Sequence, residues 1–156
     1  TNTTGFETST EEELNGMLKN ASGLLYSFAQ ATVPKVNLII GKAYGSAYLS
    51  MNSKHIGADV VLAWPSAEIS VMSAESAANI LFRDKIAESS NPVADRKALI
   101  EDYSEKYANP YVAASYGYVD DVIEADATRP RLINAFEMLV SKREILPARK
   151  HGNMPF

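Results

Sequence analysis

The stretch GKAYGSAYLSM, residues 41–51, decides the reading of this chain. It follows the apolar run Val36-Asn37-Leu38-Ile39-Ile40 and sets two glycines, two alanines and two serines around Tyr44 and Tyr48. A buried strand that leaves through small residues into a helix presents bare backbone N–H groups at the helix N-terminus. Those groups and the helix dipole favour negative charge. Small side chains also let a ligand approach the backbone closely. Gly45-Ser46-Ala47 therefore has two readings. One is an oxyanion hole for a carbonyl that gains charge during reaction, walled by Tyr44 and Tyr48. The other is a turn whose small residues only let helix pack on strand, a common device in α/β folds.

Working outward, short apolar strands alternate with helices. Thr10 and Glu13 have the spacing of a capping box, with Glu11 and Glu12 at the positive end of a helix dipole. Leu14, Met17, Leu18, Ala21, Leu24, Leu25 and Phe28 then recur at helical spacing, which predicts one helix stopped by Pro34. Residues 35–40 lack alternation and read as a strand buried on both faces. Residues 47–53 read as a short helix ended by Gly57. Strands are expected over 60–64 and 68–72, on either side of Pro65. Ser73 and Asn91-Pro92 mark two further helix starts. The second carries Leu99, Ile100, Tyr103 and Tyr107 inward. Residues 110–116 form a short helix stopped at Gly117, residues 118–123 a strand, and Asp126 caps a last helix with Leu132, Ile133, Phe136, Leu139 and Val140 on its apolar face. The tail 145–156 reads as irregular and suited to reaching across a neighbour. The class is α/β.

Composition excludes several functions. The net charge of −4 argues against nucleic acid as the main partner, since phosphate neutralisation needs a basic face. With no cysteine there is no disulfide, thiolate metal site or cysteine nucleophile. His55 and His151 are too few and too isolated for a metal site, so none is expected. No segment is long and apolar enough to span a bilayer. The opening Thr1-Asn2-Thr3-Thr4-Gly5 has no methionine and no basic n-region, and reads as a cut within a longer protein. The expected location is cytoplasmic.

Three stretches carry a resemblance. VPKVNLIIGKAYGSAYLSMNSKHIGADVVLAWPSAEISVM (33–72), NPYVAASYGYVDDVIEADATRPRLINAFEMLVSKRE (109–144) and KHGNMPF (150–156) resemble the C-terminal domain of the carboxyltransferase (beta) subunit of biotin-dependent acyl-CoA carboxylases. The likeness is greatest to the propionyl-CoA carboxylase, methylmalonyl-CoA decarboxylase and methylmalonyl-CoA transcarboxylase branch. It implies a crotonase-like ββα superhelix, with residues 1–156 as most of the C-terminal domain. It implies carboxyl transfer between carboxybiotin and a short-chain acyl-CoA of the propionyl or methylmalonyl type. Biotin on a carrier and acyl-CoA are the cofactor and substrate it brings.

The implied partners are the N-terminal carboxyltransferase domain, the biotin carboxyl carrier, biotin carboxylase or decarboxylase-complex subunits, and further copies in a hexamer. If the chain is a decarboxylase component, it sits at the periphery of a membrane complex. Residue by residue, the family's oxyanion-hole N–H pair falls on Ser46 and Ala47, with Ser46 where the family has glycine. Tyr44, Gly45, Tyr48 and Leu49 fall on the substrate-binding positions, Leu49 on the acyl pocket. The family's D-x-P-G-F start is replaced by Asn2-Thr3-Thr4-Gly5-Phe6.

Other chemistry stays open at this level. Ser46 with His55 invites a serine-hydrolase reading, although the G-x-S-x-G spacing is absent. Glu68 and Glu75 resemble the acid/base pair of an enoyl-CoA hydratase; as plain structure they are a strand-edge charge and a helix-cap carboxylate. Trp64 reads as a core aromatic at a strand end. Tyr103, Tyr107, Tyr111, Tyr116 and Tyr118 are candidates for an interface as much as for the core. A catalytically silent assembly module is the third alternative.

Overall fold

The computed structural model describes residues 1–148 and 150–154, and within them every strand pairing is parallel. β1 (Val36–Ile39) pairs with β3 (Val60–Ala63), and β3 pairs in turn with β5 (Asp121–Val122). β2 (Lys42–Tyr44) and β4 (Glu68–Ser70) form a second, two-stranded sheet. Parallel strands need crossovers, and helices supply them. The helices are α1 (Thr10–Leu14), α2 (Met17–Gln30), α3 (Gly45–Ser50), α4 (Ala74–Leu81), α5 (Arg83–Ala87), α6 (Pro92–Tyr107), α7 (Pro110–Ser115) and α8 (Thr128–Leu139). The core gathers Ile39, Ala43, Tyr48, Val61, Ala63, Ile69 and Val119 where the two sheets meet α3 and α7.

The punctuation of the sequence is largely realised. Ser73 accepts from the Ser76 N–H, Asn91 from Ala94 and Asn109 from Val112, and proline opens both α6 and α7. These caps satisfy N–H groups that have no partner within the helix. Four expectations need correction. The first helix is capped by Ser9, which accepts from Glu12, rather than by Thr10. It ends at Leu14, because Asn15 and the left-handed Gly16 (φ 85°) break it before α2 begins. Asp126 caps nothing: it sits in a 3-10 turn, Ala125–Ala127, and α8 starts without a side-chain cap. Tyr107 is exposed rather than inward.

Two segments are more ordered than their composition suggests. Residues 2–6 read as a loop, yet Thr3 bridges Ala43 in parallel, its N–H donating to Lys42 O at 2.6 Å and its carbonyl accepting from Tyr44 N–H. In the tail, Gly152 lies against the Tyr26 hydroxyl and Met154 against Gly23, so this part returns to α2 of its own chain. Arg149, and the Pro155 and Phe156 that end the KHGNMPF stretch, lie outside the described residues. Among the described residues no helix is long and apolar enough to cross a membrane.

Candidate functional site

Gly45 joins β2 to α3 with φ 59°, a left-handed conformation that side chains resist. A Cβ there would stand 3.1 Å from the carbonyl oxygen of Val71, so conformation favours glycine and the space beside it is tight. A left-handed residue followed by helical ones turns successive N–H groups toward one concavity. α3 has no side-chain cap, and its first N–H groups, those of Ser46 and Ala47 among them, have no partner in the helix.

The turn borders a cavity of about 330 Å³. α3 contributes Gly45, Ser46, Tyr48 and Leu49; the end of β4 contributes Ile69, Ser70 and Val71. The far wall comes from Val112 and Ala113 of α7, the turn carrying Tyr116 and Tyr118, and Tyr107 and His55. The walls are apolar with few polar groups, the usual composition of a small-molecule site. The His55 ring stacks on Tyr118 with centroids 4.3 Å apart and meets Tyr48 edge-on at 6.1 Å. Tyr118 in turn stacks loosely on Tyr116 at 6.3 Å.

The expected site residues divide. Gly45, Ser46, Tyr48 and Leu49 line the cavity. Ala47 buries its methyl in the core and can offer only backbone. Tyr44 turns away: it is buried and donates its hydroxyl to Glu68. Burial, then the Glu68 hydrogen bond and charge, raise its pKa above the ordinary phenol value. Tyr48 is 5% exposed, and its pKa is pushed up to about 12 by burial and, secondarily, by the Tyr118 phenol. Both tyrosines therefore stay protonated at neutral pH.

Glu68 and Glu75 do not meet as an acid/base pair. Glu68 accepts from Tyr44, whereas Glu75 borders a separate groove between α4 and α6. Trp64 also lies elsewhere, lining a groove along α8 and donating Nε1–H to Thr128 Oγ1 at 2.9 Å. Ser46 and His55 line one cavity, but among the described residues no hydrogen bond joins them. The same residues hold no cluster able to bind a metal ion. Sequence reading paired His55 with Ser46 only as a hydrolase alternative and left out Tyr107, Tyr116 and Tyr118 as cavity residues. Their one signal was the density of tyrosine near Gly117, which favours interfaces and sites alike.

The structure thus sets a small-residue turn against an aromatic-lined cavity on a parallel α/β scaffold, and comparison with known proteins gives its class. Residues 1–154 match the carboxyl transferase domain, and the chain belongs to that family. It is 51% identical over 151 residues to the methylmalonyl-CoA decarboxylase subunit alpha of Propionigenium modestum, covering 97% of this chain and 29% of the relative. It is 52% identical, with the same coverage, to the propionyl-CoA carboxylase carboxyltransferase subunit of Haloferax mediterranei.

Among solved structures, transcarboxylase 12S, a hexamer described with methylmalonyl-coenzyme A bound, superposes with a TM-score of 0.94 at 45% identity. That match covers 100% of this chain and 30% of the 12S chain. The beta subunit of P. aeruginosa geranyl-CoA carboxylase shares the fold, with a TM-score of 0.74 at 22% identity. The fold is the crotonase-like α/β architecture, present in part. The chain thus spans about three-tenths of the length of the relatives it matches.

Proposed function

We propose that this chain is most of the C-terminal domain of a carboxyltransferase subunit that moves a carboxyl group between carboxybiotin and a short-chain acyl-CoA. The observation that carries the reading is the Gly45 turn: the Ser46 and Ala47 N–H groups that follow it have no partner within α3, and Gly45 and Ser46 line a cavity. The cavity is within the range of small-ligand sites and combines apolar walls with a few donors, which fits the head group of biotin. Bound biotin supplies the carboxyl carrier. The chain's own part is to hold the ureido oxygen with two backbone donors and to exclude water with Tyr48, Leu49 and Tyr118. Donors already in place for developing charge need no rearrangement as the reaction proceeds, and losing one typically costs about 10²–10³ in rate.

The second oxyanion, on the thioester, needs its own donors. The described residues offer one such turn, so the donors for the thioester oxygen are assigned to the N-terminal domain, met across a subunit interface in a homo-hexamer, with the acyl chain reaching this cavity at Leu49. Further partners of the whole subunit are the biotin carboxyl carrier and a biotin carboxylase or decarboxylase-complex subunit. Propionyl-CoA and methylmalonyl-CoA are the proposed substrates, in keeping with the similar subunits.

The test is carboxyl transfer from carboxybiotin by the intact subunit, with propionyl-CoA as acceptor. Turnover that falls by about 10² or more when the Ala47 N–H is removed supports the reading. Hydration of crotonyl-CoA, or labelling of Ser46 by a fluorophosphonate, would support the hydratase or hydrolase alternative instead. Geometry disfavours both, since Glu68 is engaged with Tyr44 and, among the described residues, no base is hydrogen-bonded to the Ser46 hydroxyl.

A further inference from the structure

Tyr48 carries an unexplained polar group. Its ring lines the Gly45 cavity and packs into the core, yet its hydroxyl is buried and among the described residues has no hydrogen-bond partner. Buried phenols normally find a partner, and one left without costs the full desolvation of the group. The pKa of about 12 keeps it a phenol, so it acts as a hydrogen-bond donor rather than as a base. Its aromatic neighbours are the edge of His55 and the phenol of Tyr118. Tyr118 is 42% exposed and follows the left-handed Gly117 (φ 78°), on the outer wall of the same cavity. Tyr48 follows Gly45 by three residues in α3 and lines the same cavity as Gly45 and Ser46.

We propose that the Tyr48 hydroxyl is a ligand-binding donor, satisfied only when the cavity is filled. A ligand entering beside Ser46 displaces the Tyr118 ring and offers the hydroxyl a neutral oxygen acceptor, the chemistry of a urea carbonyl. The inference rests on the biotin reading of the cavity and adds a side-chain donor to its backbone pair. It also gives the second tyrosine of Y-G-S-A-Y a role that packing alone leaves unaccounted for, since phenylalanine would fill the core equally well.

Tyr48→Phe tests this in the intact subunit by two readouts that do not depend on turnover. Thermal unfolding without ligand is expected to show an unchanged or higher midpoint, because the variant removes a buried donor that has no partner. Calorimetric titration with free biotin is expected to show binding weakened about 3- to 10-fold, the range of one hydrogen bond. A clear drop in the ligand-free midpoint would overturn the proposal by showing that the hydroxyl is already bonded. Wild-type binding of biotin with unchanged affinity in Tyr48→Phe would overturn it alone and leave the biotin reading standing. No binding of biotin by the wild-type subunit would remove both.

Discussion

Gly45 and Val71 are locked together: the left-handed glycine of the β2–α3 turn stands against the Val71 carbonyl, which a Cβ would approach to 3.1 Å. The contact is with backbone, which cannot swing aside. Gly45→Ala is therefore expected to destabilise the fold by about 1–2 kcal/mol from the left-handed conformation alone. At this chain length each kcal/mol moves the thermal midpoint by roughly 2–4 °C. Scanning calorimetry of the variant checks it, and an unchanged midpoint would mean that the turn relaxes at no cost.

Ser46 follows Gly45 at the start of α3 and lines the cavity, and it is expected to act through its N–H alone. Ser46→Gly should keep most carboxyl transfer. A loss above about 10², the scale of a missing oxyanion donor, would instead give the hydroxyl a role. Ala47→Pro should lose about 10²–10³ in rate by deleting the N–H, with circular dichroism showing a far smaller change.

Leu49 lines the cavity from α3 and is expected to set acyl preference. Leu49→Asp should lower kcat/KM for propionyl-CoA about tenfold or more against longer or more polar thioesters. Constant ratios of kcat/KM across an acyl series would take Leu49 out of the acyl pocket.

Asp59 accepts from the Lys35 N–H at 2.7 Å and from Lys142 Nζ at 2.9 Å. Burial pushes its pKa up, but the two hydrogen bonds and the charges of both lysines outweigh this and hold it below the ordinary value. In the acid range the unfolded chain therefore binds the extra proton more readily than the native one. The stabilisation is present above about pH 3.9 and is lost as pH falls through the folded value. Urea midpoints of Lys142→Met should lie below wild type at neutral pH and converge with it in acid. A gap that persists at the lowest pH would assign the effect to lysine packing instead.

How much of this was legible varies with the range of the interaction. Asn91-Pro92, Asn109-Pro110 and Ser73 announced their helices because capping is a local exchange between a side chain and the N–H groups that follow it. Thr10 misled because Ser9, one residue earlier, competes for the same role and wins it. The Gly45 turn was visible as small residues between a strand and a helix, while its contact with Val71 was not, being set by the register of β2 on β4. The cavity's far wall was out of reach for the same reason. His55 meets Tyr118 only because β5 docks beside β3, and no local pattern records that pairing. Tyr44 and Tyr48 look equivalent in the sequence and are about equally buried; the partner Glu68 and the cavity wall separate them.

The all-parallel pairing among the described strands carries a kinetic consequence. None of these strands can zip to its neighbour through a tight turn, so no hairpin is available as an early nucleus. The cavity draws on α3, the end of β4 and the turn after α7, which meet only after long stretches of chain have closed. Recovery of ligand binding during refolding should therefore trail helix formation and coincide with the last, slowest phase.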